Sequence, residues 1–179
     1  MADGEPERGL YEHADPLAAL NRSVPLEQKL AAIHEALYPH IEFVDRISVV
    51  SYDPASDLLK TFLASSPGRN QLVRYEARLA DSPSLAEILR AGRPRVVEDL
   101  GLFRQGRHLH TKVIAQEGYR WSYTVPMYLD ASFWGFIFFN SRTPRALAEP
   151  AQRTLDAYAH LISAVVTAEM LAVCILAAA

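Results

Sequence analysis

The chain has 179 residues, a formal net charge of −3 and a single cysteine, Cys174. Its hydrophobic fraction of 50% and charged fraction of 22% are typical of a soluble globular domain. Scattered basic residues exclude the basic stripe of a nucleic-acid-binding protein, and a lone cysteine excludes a disulfide framework. Residues 1–15 are acidic and lack the apolar core of a signal peptide. We therefore expect one cytoplasmic domain without a nucleic-acid partner.

The first third of the chain predicts a helix followed by a pair of strands. Residues 1–22 are polar and are expected to form a flexible arm with one short helical turn after Asp15. Residues 23–38 place apolar side chains at helical spacing and end before a proline. Residues 46–52 and 58–65 are rich in strand-forming residues and flank a turn of Asp, Pro and Ser.

The middle of the chain predicts shorter elements. Residues 71–75 form a possible short strand, and residues 94–100 form another. Between them, Ser84 and Glu87 have the spacing of a capping box at the start of a helix. A further short helix is predicted over residues 110–117.

The most informative segment is residues 118–141, which predicts two long strands joined by a tight turn. The first strand alternates, so one set of side chains shares a face: Tyr119, Trp121, Tyr123, Val125, Met127 and Leu129. The intervening residues point the other way. The pair Asp130–Ala131 is a break of hairpin length. Residues 133–139 are apolar on both faces, which predicts a central strand covered on both sides.

A long helix is predicted from Pro150 to the end of the sequence, with apolar strips at coiled-coil-like spacing. Residues 161–179 carry one charge, Glu169. A carboxylate at the centre of a membrane span costs about 2.5–3.5 kcal/mol, so we expect a partner-facing helix and no membrane span. Because no helix-stop signal precedes Ala179, we expect the polypeptide to continue beyond it. The order of elements predicts an α+β fold with an antiparallel sheet.

Three blocks, in this order, carry a family resemblance: VDRISVVSYDPASDLLKTFLASS, SPSLAEILRAGRPRVVEDL and GYRWSYTVPMYLDASFWGFIFFNS. The set resembles a GAF domain over roughly residues 25–170. The amino-acid sequence of the last two blocks is similar to that of GAF domains that precede HD-GYP cyclic-di-GMP phosphodiesterase domains in bacterial signalling proteins. The resemblance implies a central antiparallel sheet of about 5–6 strands.

The resemblance also implies how the two sheet faces are used. The N- and C-terminal helices would cover one face and favour a homodimer, while short helices and loops would enclose a small-molecule pocket on the other. The implied organisation is a flexible arm (1–22), a sensory domain (23–150) and a C-terminal signalling and dimerisation helix (151–179) leading to an output domain. The implied ligand-binding residues are Tyr52, Phe62, Leu85, Val97, Asp99, Leu100, His108, Tyr119, Trp121 and Tyr123.

Each candidate has a plainer alternative. The aromatic set of the first hairpin strand could line a pocket or form ordinary core. His108 and His110 could bind a metal or haem iron, but their spacing matches no strong ligand motif. Arginines, among them Arg120, could receive an anionic ligand or lie on the surface.

Several activities of the family are disfavoured by what the sequence lacks. One cysteine is too few for a GAF-type methionine sulfoxide reductase, and no cysteine lies where bilin-binding relatives attach their pigment. The Asn-Lys-Phe-Asp-Glu signature of cyclic-nucleotide-binding GAF domains is missing. The sequence contains neither a nucleophile–base set nor a metal-binding motif of the kind that indicates an enzyme. It does not predict which cofactor, if any, is bound.

The sequence therefore predicts a non-catalytic regulatory sensor that binds a small molecule and controls a C-terminal output domain. The alternatives are a dimerisation scaffold without a ligand and a haem- or metal-based sensor. On this interpretation Trp121 lies on the pocket side, and Trp121→Ala would weaken the ligand response more than dimerisation.

Overall fold

The computed structural model describes residues 14–66, 76–103 and 117–178, with side chains described to residue 173. Two 3-10 turns span Ala18–Asn21 and Leu100–Phe103. The helices are α1 (Leu26–Leu37), α2 (Pro83–Ala91) and α3 (Glu149–Ala178). The strands are β1 (Arg46–Asp53), β2 (Leu58–Ser65), β3 (Glu76–Arg78), β4 (Arg95–Val97), β5 (Trp121–Leu129) and β6 (Ser132–Ser141). The strand predicted over 71–75 and residues 110–116 of the helix predicted over 110–117 lie outside the described residues.

The strands form one six-stranded sheet in the order β3-β2-β1-β6-β5-β4, and every neighbouring pair is antiparallel. The predicted α+β fold with an antiparallel sheet is confirmed. β6 lies in the middle of the sheet, as its apolar sequence predicts.

Local backbone chemistry sets the geometry of the central hairpin. Asp130 and Ala131 have φ values of 47° and 62°, the positive φ pair that matches the right-handed twist of a two-residue hairpin turn. Further along β6, a Cβ on Gly135 would lie 1.9 Å from the carbonyl oxygen of Val50. Only glycine therefore allows β6 to approach β1 so closely at this point.

One face of the sheet is covered by α1 and α3, and we call it the helix face. Nine strand residues contribute to its core: Ile47, Val49, Leu63, Trp121, Tyr123, Val125, Met127, Ile137 and Phe139. From α3, four side chains at steps of three and four residues pack onto them: Leu155, Ala159, Ile162 and Val166. This regular spacing is what places one stripe of a long helix against a flat sheet.

The opposite face is covered in part by α2, and we call it the open face. Its apolar cluster joins the sheet to α2: Val50, Leu59, Leu79, Leu85, Ile88, Phe136 and Phe138. The predicted capping box is wrong, because α2 begins at Pro83 after the N-cap Ser82, two residues earlier than proposed. Proline is well suited to the first helical position. Glu87 instead accepts hydrogen bonds from the Arg90 guanidinium at 2.6 and 3.0 Å.

The charge that interrupts the apolar sequence of α3 is paired inside the fold. The Lys29 ammonium of α1 donates to the carbonyl oxygen of Leu20 at 3.1 Å and to the Glu169 carboxylate at 2.5 Å. Residues Glu149–Val173 of α3 are long and apolar enough to span a membrane by length and composition, which is weak support for a span. The stripe of α3 that contacts the sheet belongs to the domain core.

Candidate functional site

Two rows of polar side chains cross the open face of the sheet. The strand register places Arg46 of β1 opposite Asn140 of β6, and Asn140 opposite Ser122 of β5. One pleat further along, Ser48 and Thr124 flank Phe138 in the same way. All five polar side chains are buried. We call them the polar strip: Arg46, Ser48, Ser122, Thr124 and Asn140.

Asn140 lies at the centre of the polar strip and is fully buried. Its side-chain Nδ2 donates a hydrogen bond to the Ser122 hydroxyl at 3.1 Å. Its Oδ1 is buried without a hydrogen-bond partner. A buried amide oxygen of this kind costs about 1–3 kcal/mol unless a donor reaches it.

Arg46 ends the first row and is 7% exposed. Its Nη1 lies 3.6 Å from the Glu117 carboxylate, which is an ion pair but longer than a hydrogen bond. Its guanidinium lies 5.8 Å from the centre of the Tyr119 ring, and that of Arg142 lies 5.1 Å from the same ring. Burial raises the pKa of Glu117, and the positive charges of Arg46 and Arg142 oppose that rise. The result is a charged cluster at one end of the polar strip.

An apolar rim lies at the β4 edge of the polar strip. Val97 pairs with Ser122 across the ladder, and it packs on a small cluster formed by Leu100 and Tyr119. Asp99, which follows β4, accepts hydrogen bonds from the Arg120 guanidinium at 2.9–3.0 Å and from the Gly101 amide at 2.7 Å. The Asp99 carboxylate and the Arg120 guanidinium therefore bind each other.

The predicted placement of Trp121 and Tyr123 on the pocket side is wrong. Both side chains belong to the core of the helix face, where Trp121 stacks near Tyr123 and meets Phe43 edge-on. The Tyr123 hydroxyl donates a 2.6 Å hydrogen bond to Asp156 of α3, and burial raises its pKa. Alternation correctly predicts that these residues share a face, but it does not tell which face the helices cover. Tyr119 precedes β5 and lies apart from them.

The remaining predicted site residues fall in different places. Tyr52 and Leu85 belong to the apolar part of the open face, and the Tyr52 hydroxyl donates to Asp57 at 3.1 Å. Phe62 is the extra residue of a bulge in β2, where it meets the Trp134 ring edge-on beside the helix-face core. His108 lies outside the described residues. The structure thus brings Val97, Leu100 and Tyr119 to the polar strip.

The members of the polar strip were not predicted as site residues. Their signal in the sequence is a polar residue at each alternate position of a strand whose other face is apolar, as at Ser122 and Thr124. That pattern is usually produced by a solvent-facing side. Only the burial of these side chains distinguishes a covered polar face from an exposed one.

A separate pocket of about 490 Å³ lies between the segment that joins α1 to β1 and the residues at and after the end of β6. It is lined by Pro39, His40, Ile41, Glu42, Phe43, Asp45, Ser141, Thr143 and Arg145. Asp45 is already occupied there, since it accepts hydrogen bonds from the Ser141 hydroxyl and the Arg142 amide. Within the described part of the chain, no group of three or more His, Cys, Asp or Glu side chains could hold a metal ion.

Comparison with known proteins places this geometry in a family. A model of the GAF domain matches residues 25–166. The chain belongs to the GAF domain family. GAF domains are in general non-catalytic sensor domains. No match is found among curated proteins.

Solved GAF structures share the fold at low sequence identity. The phycocyanobilin-bound GAF domain of a cyanobacterial phytochrome is 16% identical with a TM-score of 0.63, and the match covers 89% of this chain and 97% of that one. The GAF domain of a phosphoenolpyruvate-protein phosphotransferase from Coxiella burnetii is 14% identical with a TM-score of 0.67, and the match covers 87% of this chain and 90% of that one. The chromophore-binding domain of a bacteriophytochrome from R. palustris is 15% identical with a TM-score of 0.62, and the match covers 87% of this chain. This chain spans only 60% of that domain.

Proposed function

We propose that this GAF domain is a regulatory sensor that binds a small molecule on the polar strip and controls a C-terminal output domain. The observation that carries the proposal is the buried, unpaired Oδ1 of Asn140 at the centre of that strip. Buried polar groups in folded proteins nearly always have hydrogen-bond partners. A ligand that donates to this oxygen would remove the cost of burying it.

The helix face supplies a route from the polar strip to the output. β5 and β6 carry the polar strip on one face, and on the other face Tyr123 of β5 holds α3 through its hydrogen bond to Asp156. Tyr158 of α3 in turn donates to the carbonyl oxygen of Ala36 in α1 at 2.8 Å. A ligand that shifts β5 relative to β6 would therefore change how α3 is held. The size of that response is limited by the difference in ligand affinity between the two arrangements.

We propose further that α3 pairs with its copy in a homodimer and leads into an HD-GYP phosphodiesterase domain acting on cyclic-di-GMP. The sequence blocks of the GAF-like middle and hairpin support this output domain. Leu171 and Val173 support the dimer, because they are 58% and 60% exposed near the end of α3. An apolar strip beyond the sheet is typical of a helix that pairs with another helix. A cytoplasmic location, suited to cyclic-di-GMP signalling, belongs to the same proposal.

A ligand screen tests the sensor proposal. The thermal midpoint of this domain is measured with nucleotides, cyclic dinucleotides and metabolites, and any hit is followed by calorimetry. A ligand present at 100 times its Kd stabilises the fold by about 2.7 kcal/mol, which raises the midpoint by several degrees. We expect Asn140→Leu to lose that response, and the matched Leu102→Asn change at an exposed site to keep it. A hit that binds Asn140→Leu unchanged would contradict the assignment of the site.

The second candidate function is a scaffold that dimerises without a ligand, which the exposed end of α3 also favours. Light scattering of the domain and of a Leu171→Glu, Val173→Glu variant tests the dimer. We expect the natural sequence to be dimeric and the variant to be monomeric. A dimer combined with no response to any ligand would favour the scaffold over the sensor.

A further inference from the structure

We propose that the polar strip recognises a small carboxylate bearing a hydrogen-bond donor on the adjacent carbon, that is, a 2-hydroxy or 2-amino carboxylate. The proposal rests on the sensor function and assigns a ligand class to the same site. Its basis is the placement of one guanidinium and one unpaired amide oxygen side by side on a buried sheet face.

The carboxylate would bind Arg46. A guanidinium presents five N–H donors in a planar fork that matches a carboxylate. Within the part of the chain that the structure describes, the Arg46 side chain makes no hydrogen bond, and its carboxylate neighbour Glu117 lies 3.6 Å away. Arg46 is nonetheless buried. Its N–H donors are therefore held out of water, and in the proposal they donate to the carboxylate of the ligand.

The donor group of the ligand would bind Asn140. Its Nδ2 donates to the Ser122 hydroxyl, and its Oδ1 has no hydrogen-bond partner. Arg46 and Asn140 are direct partners in the β1–β6 ladder, so their Cβ atoms are about 5 Å apart. A carboxylate and a donor separated by one carbon can reach two groups at this spacing. Ser48 and Thr124, one pleat away on either side of Phe138, add further buried hydroxyls to the same face.

The local charge favours a ligand that places one carboxylate against the guanidinium groups, whether or not an ammonium group elsewhere in the ligand balances it. Two guanidinium groups, those of Arg46 and Arg142, approach Tyr119, and one carboxylate, that of Glu117, opposes them. Counting only the described residues, these three groups carry a net charge of +1 (two positive and one negative). One ligand carboxylate neutralises it. A neutral amide of the same shape would leave the positive charge of the cluster unbalanced.

Matched probes test the ligand class on the natural protein. L-lactate, L-malate, L-alanine and L-glutamate are compared with L-lactamide, which lacks the charge, and with propionate, which lacks the donor. The readouts are the thermal midpoint and the Kd from calorimetry. We expect at least one of the four to bind about tenfold or more tightly than lactamide and propionate, the loss that one charge-assisted hydrogen bond predicts.

Substitutions test whether Arg46 is the source of the preference for a carboxylate. Arg46→Gln should remove the preference for the carboxylate over its amide, whereas Arg153→Gln, the same change at an exposed site on α3, should keep it. If Arg46→Gln does not fold, the probe comparison on the natural protein still decides. Equal binding of carboxylate and amide, or a preference retained in Arg46→Gln, would overturn the ligand class.

The two proposals fail in different ways. If a compound of another class binds and loses affinity in Asn140→Leu while no carboxylate binds, the ligand class is wrong and the sensor function stands. If no compound in either set binds, both proposals fail and the scaffold remains.

Discussion

The two faces of the sheet bury polar atoms in different ways. On the helix face the polar groups connect elements: His34 of α1 contacts the Val44 carbonyl and the Ser65 hydroxyl at 3.0 Å each, and Tyr123 donates to Asp156. On the open face the polar strip leaves Oδ1 of Asn140 unpaired and Arg46 with one distant ion pair. The hydrogen-bonded polar atoms of the helix face hold helices in place, although the Trp121 Nε1 in that core is also buried without a hydrogen-bond partner. On the open face, the sensor proposal assigns the unpaired Oδ1 of Asn140 to a ligand.

This difference separates stability from recognition. Because the helix face contains the larger cluster and fixes both terminal helices, substitutions there should mainly change the free energy of unfolding. Substitutions on the polar strip should mainly change ligand affinity. The following predictions test that division, beginning with the largest effect.

Trp121→Ala should lower the free energy of unfolding by about 3–5 kcal/mol, since the indole is fully buried in the helix-face core. Urea unfolding measures this loss. Tyr38→Ala, at an aromatic residue that is largely exposed, should cost no more than about 0.5 kcal/mol and serves as the control. A loss below about 1 kcal/mol at Trp121 would contradict its place in the core.

Val125 and Thr124 are adjacent in β5 and face opposite sides of the sheet, so exchanging valine and threonine at each position compares the two faces with side chains of similar shape. Val125→Thr places an extra hydroxyl in the helix-face core and should cost about 1–3 kcal/mol. Thr124→Val removes a hydroxyl from the polar strip and should change stability by less than about 1 kcal/mol while weakening ligand binding. Equal effects of the two exchanges on urea unfolding would remove the distinction between the faces.

Tyr123→Phe should destabilise the fold by about 1–2 kcal/mol, because Asp156 loses a short hydrogen bond from a buried hydroxyl. A double-mutant cycle with Asp156→Asn isolates the coupling between β5 and α3. We expect a coupling energy above about 0.5 kcal/mol. Strict additivity of the two changes would mean that this hydrogen bond does not hold α3.

A smaller effect depends on pH. Burial lowers the pKa of His34, so the folded state favours the neutral imidazole. As the pH falls below the ordinary value of 6.5, the unfolded chain takes up a proton first and the fold loses stability, until the pH also passes the lowered folded pKa. Above pH 7 the residue should have no pH effect. Urea unfolding between pH 5 and 7.5 should show this slope in the natural protein and a shallower one in His34→Gln; equal slopes would exclude His34 as its source.

The sequence predicts much of this fold and less of the site. The strands β1, β2, β5 and β6 follow from alternation and turn chemistry to within two residues at each end, because those signals are local. The face on which Trp121 lies does not follow, since it depends on where α1 and α3 cross the sheet. Alternation places Ser122 and Thr124 on the reverse side of a strand, where polar residues usually face water. The pairing of Glu169 with Lys29 spans 140 positions and has no local signal.

Side-chain nuclear magnetic resonance tests the central claim most directly, because it observes both faces in one spectrum. The carboxylate that raises the thermal midpoint most is titrated into ¹⁵N-labelled protein. We predict that the Asn140 side-chain amide and the Arg46 Nε–H resonances shift with ligand while the Trp121 indole N–H, on the helix face, shifts far less. A titration that moves the Trp121 indole resonance and leaves Asn140 and Arg46 unchanged would contradict the placement of the ligand on the polar strip.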